Sequence, residues 1–309
     1  MFDSSLRGSL ATRATRAKPP LDELPPGPDQ PPMRRAVPLI LLLLLATGPA
    51  RAAIFTASDG ARLHYSVHGR PGGQTVVFVP GWLMPGWIFA HVAATLAPRY
   101  RVVLFDPRGQ GASAVPAGGY TAARRGQDIA ELLARLGPRP VVLVAWSLGV
   151  LDTLAFLRTH ADAKLAGLVL IDNSVGEPPP PVWHPSHGPP PPHAAAVAAF
   201  VRGMFHTRQP EAFLRRLTRA ALRLPAPQAA ALRDYPVPRD VWRRTVEQVR
   251  VPLLYIVRPW LAAQAAALRA ARPATRTAIF PHAGHALFID DAPRFDAILR
   301  RFLAHAAWR

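Results

Sequence analysis

Six short runs, at residues 75–79, 101–105, 141–145, 165–171, 251–257 and 277–280, are apolar at nearly every position and rich in Val, Leu and Ile. A strand with one wet face alternates apolar and polar residues, whereas a strand apolar throughout must be covered on both faces. Stretches with helical spacing separate the runs, at about 86–97, at 121–136, from Ser147 onward, and at 292–305. Alternation of this kind predicts an α/β fold, with a mostly parallel central sheet of about eight strands and helices on both faces. An opening hairpin is expected from 54–56 and 62–67, turned at Asp59-Gly60. Between Asn173 and Val249 no strand pattern occurs; two proline clusters, 178–181 and 189–192, precede short helices rich in Ala and Arg. The segment of about 175–249 is therefore expected to be an insertion forming a small helical cap.

The chain ahead of the hairpin has a different character. Residues 1–32 combine paired prolines with Arg, Ser and Asp and show no apolar period, so they are expected to be disordered. At Met33 a secretory signal pattern begins: Arg34-Arg35, an apolar core from Ala36 to about Thr47, and Ala50-Arg51-Ala52 as a small-x-small cleavage site. The expected divisions are thus an upstream extension at 1–32, a signal peptide at 33–52, and an exported mature domain at 53–309. An apolar core of about a dozen residues is too short to cross a bilayer, which needs about twenty. No stable membrane span is expected in the mature chain.

Composition removes several chemistries. There is no cysteine, which excludes disulfides, thiolate metal sites and a Cys nucleophile. The formal charge of +18 is carried almost wholly by scattered arginines, and no nucleic-acid recognition motif accompanies it, so no nucleic-acid partner is expected. The histidines show no metal-ligand spacing such as His-Glu-x-x-His, and neither a metal nor a cofactor is expected. The oligomeric state stays open.

What remains is serine chemistry. In Val141-Val142-Leu143-Val144-Ala145-Trp146-Ser147-Leu148-Gly149 a strand runs directly into a helix through small-x-Ser-x-small. Small neighbours let the backbone turn sharply enough to raise a serine side chain above the sheet edge. The alternative for Ser147 is a plain helix N-cap. At the helix N-terminus the Leu148 amide would face a developing oxyanion, and after the first apolar run Pro80-Gly81-Trp82 would supply the Trp82 amide.

Four motifs in order resemble those of the α/β-hydrolase family across residues 53–309: Val79-Pro80-Gly81-Trp82, the run Asp106-Pro107-Arg108-Gly109-Gln110-Gly111-Ala112-Ser113, the Ser147 turn, and Ala283-Gly284-His285. Ala145 departs from the Gly more usual two residues before the serine. The resemblance implies Ser147 as nucleophile and His285, rather than His282, as general base, with Trp82 and Leu148 forming the oxyanion hole. It also implies that Asp106, Arg108 and Ser113 are structural. The usual acid after the strand 251–257 is missing, because Arg258 to Gln264 contains no Asp or Glu. Asp172, at the end of the preceding strand, is the expected third member, with a purely structural role as its alternative. Asp290 and Asp291 are expected to cap the last helix.

The implied activity is hydrolysis of a carboxylic ester of a small-molecule acyl substrate through a Ser-His-Asp triad and an acyl-enzyme. Trp82, Trp87, Trp146, Trp183 and Phe205 are candidates to line an acyl pocket. Alternatives left open are a perhydrolase or haloperoxidase-like activity, and a non-catalytic ligand-binding homologue.

Overall fold

The protein is described from a computed structural model, which covers residues 50–182 and 191–308. Among the described residues eight strands form one sheet: β1 (Arg51–Thr56), β2 (Arg62–Gly69), β3 (Thr75–Val79), β4 (Arg101–Asp106), β5 (Val141–Trp146), β6 (Leu165–Ile171), β7 (Leu253–Val257) and β8 (Arg276–Ile279). Their spatial order is β1-β2-β4-β3-β5-β6-β7-β8. β2 pairs antiparallel with β1 and β4, and the other neighbours are parallel.

Strands β3, β5, β6 and β7 are buried at every position, which is why their sequences do not alternate. Successive side chains instead enter two separate cores. Val76, Phe78, Val142, Val144 and Trp146 pack with helices α1 (Ala90–Leu96) and α10 (Ala292–Leu303). Val77, Val79, Val141, Leu143 and Ala145 pack on the opposite face with α2 (Ala122–Leu136), α3 (Leu148–His160) and α8 (Ala262–Ala271). Burial of this kind contributes on the order of 25 cal/mol per Å² of apolar surface.

Between β6 and β7 stand four helices, α4 (His193–Gly203), α5 (Glu211–Ala221), α6 (Ala226–Ala231) and α7 (Arg239–Glu247). The tenth described helix, the single turn α9 (Leu287–Asp290), directly precedes α10.

The expected elements differ from this arrangement in detail. The expected helix over 86–97 divides into a 3-10 turn at Gly86–Phe89 followed by α1. Pro252 delays β7 to Leu253, and α8 carries no strong amphipathic period that would have announced it. The expected leader and Trp183 lie outside the described residues, save for residues 50–52. Arg51 and Ala52 already belong to β1, where they pair with Val67 and Ser66.

The sheet order fixes where a site can form. From β3 the chain crosses to β4 on one side and then to β5 on the other, so β3 and β5 are neighbours whose following loops leave in different directions. Val79 pairs with Ala145, placing Pro80-Gly81-Trp82 beside Ser147 at a topological switch point, where open α/β sheets offer a crevice.

Candidate active site

Ser147 alone joins β5 to α3, and this abrupt change of direction shows in its backbone, at φ 55° and ψ −122°. A non-glycine residue at positive φ is held there only by its surroundings. Gly81 supplies part of that fit: a Cβ there would lie 2.8 Å from the Cβ of Ser147. The Ser147 side chain makes no capping bond to α3, so the N-cap alternative does not describe it. Its Oγ lies 2.8 Å from His285 Nε2.

His285 Nδ1 lies 2.6 Å from Asp172 Oδ2. The imidazole therefore bridges the hydroxyl and the carboxylate, three side chains that the sequence separates widely. Asp172 follows Ile171, which pairs with Trp146 on one side and Ile256 on the other, and so it leaves the sheet next to both Ser147 and Arg258. Its backbone too is left-handed, at φ 49°.

Arg258 stands where the usual acid was sought. Its Nε donates to Asp172 Oδ2 at 2.6 Å and its backbone N–H donates to Oδ1 at 3.1 Å. Burial pushes the Asp172 carboxyl up, but the His285 hydrogen bond and the His285 and Arg258 charges outweigh burial and hold it below the usual carboxylate range. An ionised Asp172 keeps the proton on Nδ1 and leaves Nε2 free to accept from the Ser147 hydroxyl.

The two amides expected to face an oxyanion are adjacent to this relay. Among the described residues neither the Trp82 nor the Leu148 N–H has an acceptor. The next amide in the same loop, Leu83 N–H, is bonded to Gln110 Oε1 at 2.5 Å, and Leu83 is itself left-handed at φ 62°. Gln110 thus shapes the Gly81–Leu83 turn. Asn173 has a parallel role on the other side, its Nδ2 donating to the Ser147 carbonyl at 2.8 Å.

Sequence reasoning missed Gln110, Asn173 and Arg258. Each lies within or next to a segment it had singled out, yet each acts on a residue far along the chain.

The remaining candidates are placed as follows. Asp106 accepts from the Gly86 and Ala112 amides and faces His64, Ser113 donates to the Asp106 carbonyl, and Arg108 is buried against Asp128 and Asp59. These three organise turns away from the Ser147 hydroxyl. His282 is exposed. Asp291 precedes α10 without a side-chain cap bond, and Asp290 accepts instead from the backbone of Gly284, His206 and Thr207. The expected capping role is therefore corrected for both: Pro293 in the first turn of α10 has no N–H to offer a capping carboxylate, and the Asp290 carboxylate is already taken by residues 206, 207 and 284.

Aromatic side chains connect the Trp82 loop to the inserted helices. Trp82 meets Phe200 at 5.0 Å and donates from Nε1 to the Ala229 carbonyl at 2.7 Å, while Trp87 meets Phe213 at 6.1 Å, and Phe213 meets Phe205. Trp146 is fully buried beside His285, with ring centroids 5.0 Å apart.

The chain belongs to the alpha/beta hydrolase family, whose sequence signature matches residues 76–297. A pimeloyl-[acyl-carrier protein] methyl ester esterase from Chromobacterium violaceum is 40% identical over 103 residues, 33% of this chain and 38% of that protein. A non-heme haloperoxidase from Rhodococcus erythropolis is 33% identical over 117 residues, 38% of this chain and 42% of that protein. The chain thus spans about two fifths of the length of the curated relatives it matches. Among solved structures, a Burkholderia cenocepacia protein provisionally assigned as an aryl esterase superposes with a TM-score of 0.73 at 25% identity, over 84% of this chain and 100% of that one. An esterase from Exiguobacterium antarcticum superposes at 0.68 and 22% identity, over 82% and 99%, which speaks for the fold alone.

Proposed function

We propose that this protein is a serine hydrolase that cleaves a carboxylic ester of a small-molecule acyl substrate through Ser147, His285 and Asp172. The observation that carries this is the imidazole of His285 bridging Ser147 Oγ at 2.8 Å and Asp172 Oδ2 at 2.6 Å, with the serine held in a strained turn. In the proposed reaction His285 Nε2 takes the hydroxyl proton as Oγ attacks the ester carbonyl. The carbonyl oxygen becomes an oxyanion held by the Trp82 and Leu148 amides. The alcohol leaves with the proton from Nε2, and water, activated by the same imidazole, releases the acid. Each step needs the donors in place before charge develops, and two amides without acceptors beside a strained serine meet that need.

The aromatic contacts between Trp82, Trp87, Phe200, Phe205 and Phe213 make the inserted helices an apolar cap over the acyl side. A second reading, attack of peroxide on the same acyl-enzyme, is favoured by the haloperoxidase relative and needs no other residue.

The test pairs ester turnover with a fluorophosphonate probe. Wild-type protein should hydrolyse short aryl esters and be labelled at Ser147, and Ser147→Ala should lose both. Probe attachment elsewhere, or full turnover by Ser147→Ala, would overturn the proposal. Export is part of the proposal too: a mature N-terminus at Ala53 leaves four pairs of the β1–β2 ladder, from Ala53 with Tyr65 to Thr56 with Arg62. N-terminal sequencing of the exported protein checks it.

A further inference from the structure

The strand and the cap hold the base from opposite sides. From the sheet, Trp146 Nε1 donates to the His285 carbonyl at 2.9 Å. From the cap, the turn after α4 reaches both neighbours of the base: Ala286 N–H donates to the Met204 carbonyl at 3.0 Å, and Gly284 is tied through Asp290. The Asp290 Oδ2 atom accepts from Gly284 N–H at 2.7 Å and from His206 N–H at 2.8 Å. Its Oδ1 accepts from Thr207 N–H at 2.9 Å and from Thr207 Oγ1 at 2.5 Å. One carboxylate oxygen thus joins the base loop to the cap turn, and the other fixes the turn.

The junction is tight as well as bonded. A Cβ on Gly284 would lie 2.5 Å from the Met204 carbonyl oxygen and 2.7 Å from the His206 nitrogen. No side chain fits between base loop and cap, and any displacement of residues 204–207 must be taken up by Gly284 and Ala286. Hydrogen bonds to an ionised acceptor are roughly twice as strong as neutral ones, which makes a carboxylate suited to this clasp.

We infer that Asp290 is a positioning residue for His285, and that through it the cap turn at residues 204–207 sets where the imidazole stands relative to Ser147. This rests on the proposed roles of those two residues. Asp290 touches neither of them; it acts on the backbone that carries the base. Ester groups that press on the cap are then read out as a change in turnover as well as in binding.

The experiment measures kcat and KM for 4-nitrophenyl butyrate in wild type, Asp290→Asn, Thr207→Val and Ser147→Ala, each checked for folding by circular dichroism. Asn offers a single acceptor oxygen and turns an NH2 group toward amide donors. Asp290→Asn should lower kcat by about 10- to 100-fold, as displacement of a catalytic group by about 1 Å does, with KM within about twofold. Thr207→Val, which keeps the Thr207 N–H bond to Asp290 but loses the hydroxyl's bond to Asp290 and the one it accepts from Gln209 Nε2, should lower kcat by about threefold. The low-field Nδ1 proton resonance of His285 should shift or broaden in Asp290→Asn, a change that lost stability alone does not produce in the folded protein. Folded Asp290→Asn with unchanged kcat and an unchanged resonance overturns the inference. Should that variant fail to fold, Thr207→Val decides, and wild-type kcat in it overturns the inference equally. Turnover retained by Ser147→Ala would instead remove the underlying proposal, and this one with it.

Discussion

Two clusters of buried charge, a back one on α2 and a front one at the carboxyl ends of β6 and β7, are built on opposite terms. In the back cluster Arg108 is fully buried and forks onto Asp128, Nε to Oδ2 at 2.6 Å and Nη2 to Oδ1 at 2.7 Å, with the more exposed Asp59 and Arg124 completing the set. A neighbouring pair, Arg125 Nε to Asp152 Oδ1 at 2.7 Å, is buried too. In the front cluster Asp172 is equally buried, but its partners are an arginine and an imidazole whose far nitrogen faces a serine hydroxyl. Of the four left-handed non-glycine residues among those described, Ser147, Asp172 and Leu83 belong to the front and Ala161 ends α3; none of Asp59, Arg108, Arg125, Asp128 or Asp152 is among them. Buried charge by itself therefore says little about chemistry. Strained backbone together with donors that have no acceptor among the described residues distinguishes the cluster proposed to react.

The contrast is broken most directly from the front. Asp172→Asn keeps the size of the side chain but offers an NH2 group to the imidazole, which favours the wrong tautomer; ester kcat should fall by about 10³- to 10⁴-fold with the fold intact. A loss of only a few-fold would make Asp172 a loop-holding residue and leave the front cluster no different in kind from the back. The back should answer in a different measurement. Asp128→Ala leaves the Arg108 guanidinium buried without its forked partner and should destabilise the protein by about 3–5 kcal/mol in urea unfolding. Turnover per folded molecule should stay near wild type, and a large loss of kcat there would mean that the two clusters are coupled.

How much of this was legible in the sequence follows from the range of the forces involved. The strands were readable because burial on both faces acts on every residue of a short run. The serine turn and the Gly284-His285 pair were readable because each packs its demand into a few adjacent positions. Asp172 followed from the family resemblance, because Arg258 to Gln264 lacks the usual acid; the strand order that sets it beside the loop after β5 belongs to the fold. Arg258 was not readable in the same way. It donates to an acid 86 residues earlier, and nothing in its own neighbourhood says which carboxylate a strand-end arginine will meet. Gln110 and Asn173 escaped for the same reason, since an amide side chain has no periodicity to betray its partner. Asp290 misled because helix starts commonly carry an Asp, and local propensity outvoted a tertiary contact with residues 206 and 207.

The smallest expected effect lies outside both clusters, where the loop after β6 meets α7. Glu177 is buried, with one carboxyl oxygen lacking a partner among the described residues. Burial, together with the nearby Glu247, pushes its carboxyl up from the ordinary 4.5 to about 7. The folded protein then holds a proton that the unfolded chain gives up, and stability falls as pH rises from about 4.5 to about 7, levelling off above. Glu177→Gln, neutral at every pH, removes that slope. It should stabilise the protein at pH 8 by on the order of 1–2 kcal/mol, the full shift being discounted for its coupling to Glu247, and should change little at pH 4.5. Urea unfolding of both proteins at the two pH values measures it, and the difference cancels every group they share. An equal gain at both pH values would mean that the glutamine merely packs better, and that Glu177 carries no proton in the folded state.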